Sequence, residues 1–230
     1  LTELIAVIAV IGILTGILIP VISRSIERVE LATCSQNMRS CYTAINLYAI
    51  DHDGTYPPVS LSLDGSPPIN WAYAVAPYMG AKTDDYWGMM TVIDSMNCPT
   101  HGKVIATRLN NDSMRDFRNI AMSFAFGPST LLKEYRKTNH IQNPSQTMLL
   151  TEAGLPGNGS TSTQIDKVML IDSGKDGNGN YTGGVHNGAN NVMWADGHLS
   201  LFYDVQQLTT GDYNYWQPLD AWAGGGRTPQ

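Results

Sequence analysis

Leu4 to Ile22 is a run of nineteen uncharged, almost wholly aliphatic residues behind a single acid at Glu3, and no turn signal follows it. As a helix it is about 28 Å long, close to the ~30 Å hydrocarbon core of a bilayer. A core helix of a water-soluble protein rarely runs so far without a polar face. From Arg24 the pattern changes. Leu31, Cys34, Met38, Cys41, Ile45 and Tyr48 recur at spacings of three and four, while Glu30, Gln36, Arg39, Ser40 and Asn46 point elsewhere. Such a stripe predicts an amphipathic helix lying on a sheet. It ends near Asp51, because Asp53-Gly54 is a turn signal and Pro57-Pro58 cannot extend a helix. The chain thus divides into an apolar segment, residues 1–23, and a head, residues 24–230, that includes the amphipathic half of the same helix. Asp51, His52 and Asp53 read as a solvated C-terminal turn in preference to a metal site.

Beyond the helix the pattern is mixed. INWAYAVAPYMG predicts a short helix carrying Trp71, Tyr73, Val75 and Tyr78, ended by Pro77 and Gly80, with its aromatic side chains filling core beneath loops. A strand is expected around Ile120 to Phe126. Thr147 to Thr151 reads as another, its continuous Met148, Leu149 and Leu150 implying burial on both sides. Glu152 then falls at a strand end, where an exposed position is the simpler expectation and a polar site the alternative. Strands around Val192 to Ala195 and His198 to Phe202 flank Asp196-Gly197, a strong two-residue hairpin signal that requires positive φ at both positions. Alternation from that turn sets Val192 and Trp194 against Leu199 and Leu201 on one face, and Met193, Ala195, His198 and Ser200 on the other. The expected class is α+β: a long N-terminal helix packed on a mostly antiparallel sheet with long loops.

Charge and chemistry narrow the function classes. The 230 residues carry a formal charge of -6 with only 14 Lys and Arg, too few and too scattered for a phosphate-tracking surface, so no nucleic-acid partner is expected. The one local concentration of cations, Arg24, Arg28 and Arg39, follows the apolar run, where an emerging helix meets lipid headgroups. A secretory signal is disfavoured by the missing basic start and cleavage site. Three details depart from a plain anchor: Glu3 at the apolar boundary, Gly12 and Gly16 spaced for close helix approach, and Pro20, which favours a kink or a locally melted turn. No serine elbow, phosphate-binding loop, HExxH or GxGxxG occurs, so no enzyme is expected. Cys34 and Cys41 lie about 10 Å apart along one helix face, too far to bridge each other, so Cys98 can bridge either one but not both. His186, Asp196 and His198 invite a metal reading, but no fourth ligand has motif spacing. A hydrogen bond from His186 to the turn or to Asp196 is the preferred role.

Glu3, seventeen residues before Pro20 in an apolar helix, resembles the N-terminal segment of type IV pilins and type II secretion pseudopilins. In that family the mature chain begins four positions ahead of the glutamate, so this chain looks as if it starts two residues late. His186, nine intervening residues and Asp196-Gly197 resemble the H-x9-DG motif that accompanies such segments in planctomycetes, verrucomicrobia and their relatives, and SQTMLLTEAG is similar to the strand between. The resemblance implies a pilin-like fold and a structural subunit of an extracellular pilus-like or pseudopilus filament. Its partners would be copies of itself in a helical filament, the inner-membrane pilus or secretion machinery, and the lipid bilayer before assembly. A minor pseudopilin of a type II secretion system, or a membrane-anchored exported binding domain, is the alternative. Glu3 would neutralise the N-terminal ammonium of a neighbouring subunit. The resemblance also implies Cys34 paired with Cys98, leaving Cys41 as a buried thiol. Major pseudopilins hold calcium in a comparable late loop, which makes Asp172, Asp176, Asn178 and Asn180 calcium candidates. Tyr181, however, stands where a calcium loop of the EF-hand type needs glycine, and a flexible turn with no cofactor is the preferred reading.

Overall fold

The computed structural model describes residues 2–58, 60–61, 69–81, 94–101, 103, 120–123, 126, 137–141, 143–152, 154–155, 181–182 and 185–203. Helix α1, Thr2–Asp51, is a single element of 50 residues, about 75 Å long. The melted turn expected at Pro20 is not found, since helix continues through it. Proline removes one ladder bond, and the aliphatic turns on either side carry the helix across that gap. Thr15, Ser23 and Ser25 donate their hydroxyls to the carbonyls of Ile11, Ile19 and Val21, at 2.7 to 3.2 Å. These polar groups are therefore satisfied within the helix, as an apolar surrounding requires.

The helix stops where its sequence directs. The Gly54 amide donates to the Ala49 carbonyl at 2.7 Å, and Asp53 and Gly54 take left-handed φ of 55° and 76°, the geometry that closes off a helix C-terminus. Tyr56, three residues beyond Asp53, is buried in the core. Helix α2, Trp71–Val75, continues into a 3-10 turn over Ala76–Met79 that Gly80 caps with φ 78°. Trp71 and Val75 are fully buried in the main core, and Tyr73 and Tyr78 pack against it.

The head is built on an antiparallel sheet of four strands in chain order: β1, Ile120–Met122; β2, Met148–Glu152; β3, Asn190–Trp194; β4, Leu199–Phe202. The architecture is therefore α+β, one long helix and an antiparallel sheet. Two further two-residue pairings, Ser60–Leu61 with Ile69–Asn70 and Gly154–Leu155 with Tyr181–Thr182, lie outside the main sheet. β2 and β3 occupy its centre and are buried along their whole length. Met38, Cys41, Ala44 and Ile45 of α1 join Ile120, Met122, Leu149, Leu150 and Met193 in one core cluster; Met148, Val192 and Trp194 form another. The helical stripe from Cys34 onward is thus the stripe that meets the sheet, and Cys41 sits inside it as a free thiol that burial pushes up to about 12 in pKa.

The hairpin differs from the sequence expectation by one residue. Met193 lies opposite Leu199 and Val192 opposite Ser200, so Leu199 faces the helix-side core with Met193 instead of sharing a face with Trp194. The cause is the turn. Gly197 donates its amide to the Trp194 carbonyl at 3.0 Å, and only Gly197, at φ 91°, is left-handed; Asp196 is not. The turn is thus a three-residue loop, Ala195–Gly197, closed by a left-handed glycine. A one-residue change in register moves every following side chain to the opposite face.

Candidate functional site

Two features carry chemistry or assembly potential: the bare half of α1 and a polar cluster buried beneath its middle. Every side chain from Glu3 to Val29 is exposed, and packing begins at Glu30 and Leu31. Between Leu4 and Ile22, thirteen large aliphatic side chains are exposed, each by 47 % or more. Full burial of one such side chain is worth about 1.5–3 kcal/mol, so together these half-exposed groups represent on the order of 20 kcal/mol of drive to leave water. The segment passes the length and composition test for crossing a membrane. Glu3 stands in its first turn. Gly12 and Gly16, four residues apart, have no other atoms near the positions their side chains would occupy, and so offer a smooth patch to an approaching helix.

The second feature begins at Cys34, at the start of the packed half of α1. It forms a disulfide with Cys98, the pairing implied by the family resemblance. Against this bond lies His186, whose Nε2 is 3.4 Å from Cys98 Sγ and 3.1 Å from Glu152 Oε1. Asn191 Nδ2 donates to the same Glu152 oxygen at 2.8 Å, and Ser35 Oγ donates to Asn191 Oδ1 at 3.3 Å. Glu152 is wholly buried and the His186 side chain is 6 % exposed. Glu152 Oε2 has no hydrogen-bond partner among the described residues. The expected exposed strand end is thus corrected: β2 is central, and its last residue is enclosed by α1, the Cys98 segment and the turn leading into β3.

The two ends of the H-x9-DG stretch do not meet, which corrects the expected hydrogen bond from His186 to the turn or to Asp196: His186 Nε2 faces Cys98 and Glu152 instead. The nine residues between them span β3, so His186 lies before the strand and Asp196-Gly197 after it. Asp196 Oδ1 instead accepts from the His198 amide at 3.0 Å and contacts His198 Nδ1 at 2.6 Å. Burial would raise the Asp196 pKa, but these hydrogen bonds and the attraction of His198 outweigh it and hold the carboxyl below its ordinary value. Gly197 is pressed on α1: a Cβ there would stand 2.8 Å from the Tyr42 ring, whose hydroxyl donates to the Ala195 carbonyl at 3.4 Å. The stretch therefore sets the start of β3 against the Cys34–Cys98 disulfide and its end against Tyr42 of the helix.

A cleft of about 380 Å³ opens beside the cluster, with Arg28, Glu30, Thr100, His186, Leu201 and Tyr203 among its lining. Glu30 accepts from Thr100 at 3.2 Å and forms an ion pair with Lys103. The calcium candidates Asp172, Asp176, Asn178 and Asn180 lie outside the described residues. Asn191, Ser35 and Tyr42 are contacts that the sequence did not disclose, and Glu152 takes the polar-site alternative. The hydrophobic run ending at Glu152 was a signal of a central strand, but only the pairing of β2 with β3 brings its end to His186.

Comparison of the chain with protein-family models, curated proteins and solved structures gives no match.

Proposed function

We propose that this protein is a structural subunit of a type IV pilus-like or pseudopilus filament, held in the inner membrane by its N-terminal helix before assembly and packed against copies of itself afterwards. One observation carries the reading: the first half of a continuous helix stands free of its own head with its whole aliphatic circumference uncovered. A bilayer accepts that surface, and so does a bundle of identical helices. The glycine pair suits the bundle, because close backbone approach has no value against lipid alone. Glu3 suits it as well, since a carboxylate in an apolar bundle is costly unless a charge from a neighbour meets it. The placement of the H-x9-DG stretch supports the reading in a different way: it locks the head to the helix, so that the two move as one body into an assembly.

Electron microscopy of surface filaments, with antibody against the head, tests the proposal. Wild-type filaments contain the chain along their length, while Glu3→Ala and the double change Gly12→Leu with Gly16→Leu lower filament yield at least tenfold and leave the chain in the membrane fraction. Label confined to filament ends identifies a minor pseudopilin. Membrane localisation with no filament, equal for all variants, identifies an anchored binding domain and overturns the proposal.

A further inference from the structure

Cys34, Cys98, Glu152 and His186 come from four separate parts of the head, and one ligand atom from each lies within 4.8 Å of all the others. All four side chains are buried. We propose that the dithiol form of this head is a four-ligand Zn²⁺ site, and that formation of the Cys34–Cys98 disulfide abolishes it.

The donor set suits zinc, which takes thiolate, imidazole and carboxylate in a tetrahedron. With metal–sulfur bonds of about 2.3 Å and metal–nitrogen or –oxygen bonds of about 2.0–2.1 Å, a tetrahedral ion holds N and S about 3.5 Å apart and N and O about 3.3 Å apart. Here His186 Nε2 is 3.4 Å from Cys98 Sγ, and one donor atom from each of the four residues lies within 4.8 Å of the others. The two sulfurs must part, to about 3.8 Å in a tetrahedral site, and parting is what reduction of their bond permits. A second, independent observation points the same way. Glu152 Oε2 is buried with no hydrogen-bond partner among the described residues, and an unsatisfied carboxylate oxygen in such a place is stabilised by a cation. Asn191, braced by Ser35, already holds the other Glu152 oxygen, the outer support that metal-binding carboxylates use. The cleft that reaches His186 gives ion and reductant a way in.

The steps balance. A water-soluble phosphine and one water molecule convert the disulfide to two thiols and a phosphine oxide. Zn²⁺ then replaces the two thiol protons, forming two Zn–S bonds and releasing both protons to solvent. Oxidation of the dithiol by a disulfide oxidant takes two electrons from the sulfurs, restores the S–S bond and expels Zn²⁺. Every chain is synthesised with free thiols, so the metal form precedes the disulfide form and fastens α1 to the sheet at the same point.

The test uses the full chain in detergent micelles. After phosphine reduction the wild type binds one Zn²⁺ per chain, and Co²⁺ in its place gives thiolate-to-cobalt charge-transfer absorption. The oxidised chain binds neither ion. His186→Ala and Glu152→Gln each weaken Zn²⁺ binding at least tenfold, and Cys34→Ser removes the charge-transfer band at stoichiometric Co²⁺. If reduction unfolds the head, one equivalent of Zn²⁺ restores its native circular dichroism. A reduced chain that stays folded without taking up one Zn²⁺, one that stays unfolded when Zn²⁺ is added, or Zn²⁺ uptake equal in wild type and His186→Ala overturns the proposal. The oxidised and reduced wild-type chains make the primary comparison, so no substitution has to fold for the result to be read.

Discussion

Gly197 is the residue whose chemistry is most fully determined by its neighbours. Its φ of 91° is a conformation that side chains with a Cβ resist, and the added atom would meet the Tyr42 ring at 2.8 Å. Strain of about 1–3 kcal/mol and a clash of similar size act together, so Gly197→Ala is expected to cost about 2–4 kcal/mol in chemical unfolding, and less when Tyr42 is also replaced by Leu. Asp196 beside it supplies a pH dependence. Against the opposing effect of burial, its hydrogen bonds from His198 hold the folded pKa below that of an ordinary aspartate, so its contribution is fully present above the unfolded pKa and fades as pH falls through the lower, folded one. Unfolding curves of wild type and Asp196→Asn are therefore expected to differ most above about pH 4 and to converge in stronger acid. The sequence singled out these residues but not their partners. His186 and Asp196 were expected to touch because they share a motif, whereas a strand between them keeps its two ends apart. Glu152 was harder still, because its burial depends on which strand lies next to it, and that pairing joins residues about forty positions apart.

Elements were more legible than contacts. The three-and-four spacing of Cys34, Met38, Cys41 and Ile45 both predicted the helix and identified its buried face, since local periodicity and burial obey the same geometry. The run Met148, Leu149, Leu150 likewise announced a strand covered on both faces, and β2 is central. Register was lost at the hairpin. Asp-Gly fits a two-residue loop, but here the glycine alone turns left-handed while Asp196 bonds forward to His198. One loop residue more reversed the faces assigned to Leu199 and Ser200. That distinction lies in the hydrogen bonding of the turn, which the alternation of apolar residues does not encode.

For the whole molecule, the boundary that matters is where side chains begin to pack. Residues 3–29 are exposed throughout, so they contribute nothing to the stability of the head within a single chain. Deleting residues 1–28 is expected to give a protein that stays monodisperse without detergent in light scattering, with a thermal midpoint within about 2 °C of the full chain in micelles. A 1 kcal/mol loss in a domain of this size would already move that midpoint by about 2–4 °C. A larger fall would show that the apolar half supports the head after all.

The Cys34–Cys98 bond also governs how the molecule bears a load. Its ends are 64 positions apart in the chain, and one of them is on the long helix below the whole packed face. A pull applied between the N-terminal helix and the far part of the head passes through the sulfurs directly. The intervening segment, which would pay out about 220 Å if fully drawn, is bypassed. The bond therefore limits how far the subunit can stretch before it breaks, and reduction without metal would leave that segment free to draw out under load.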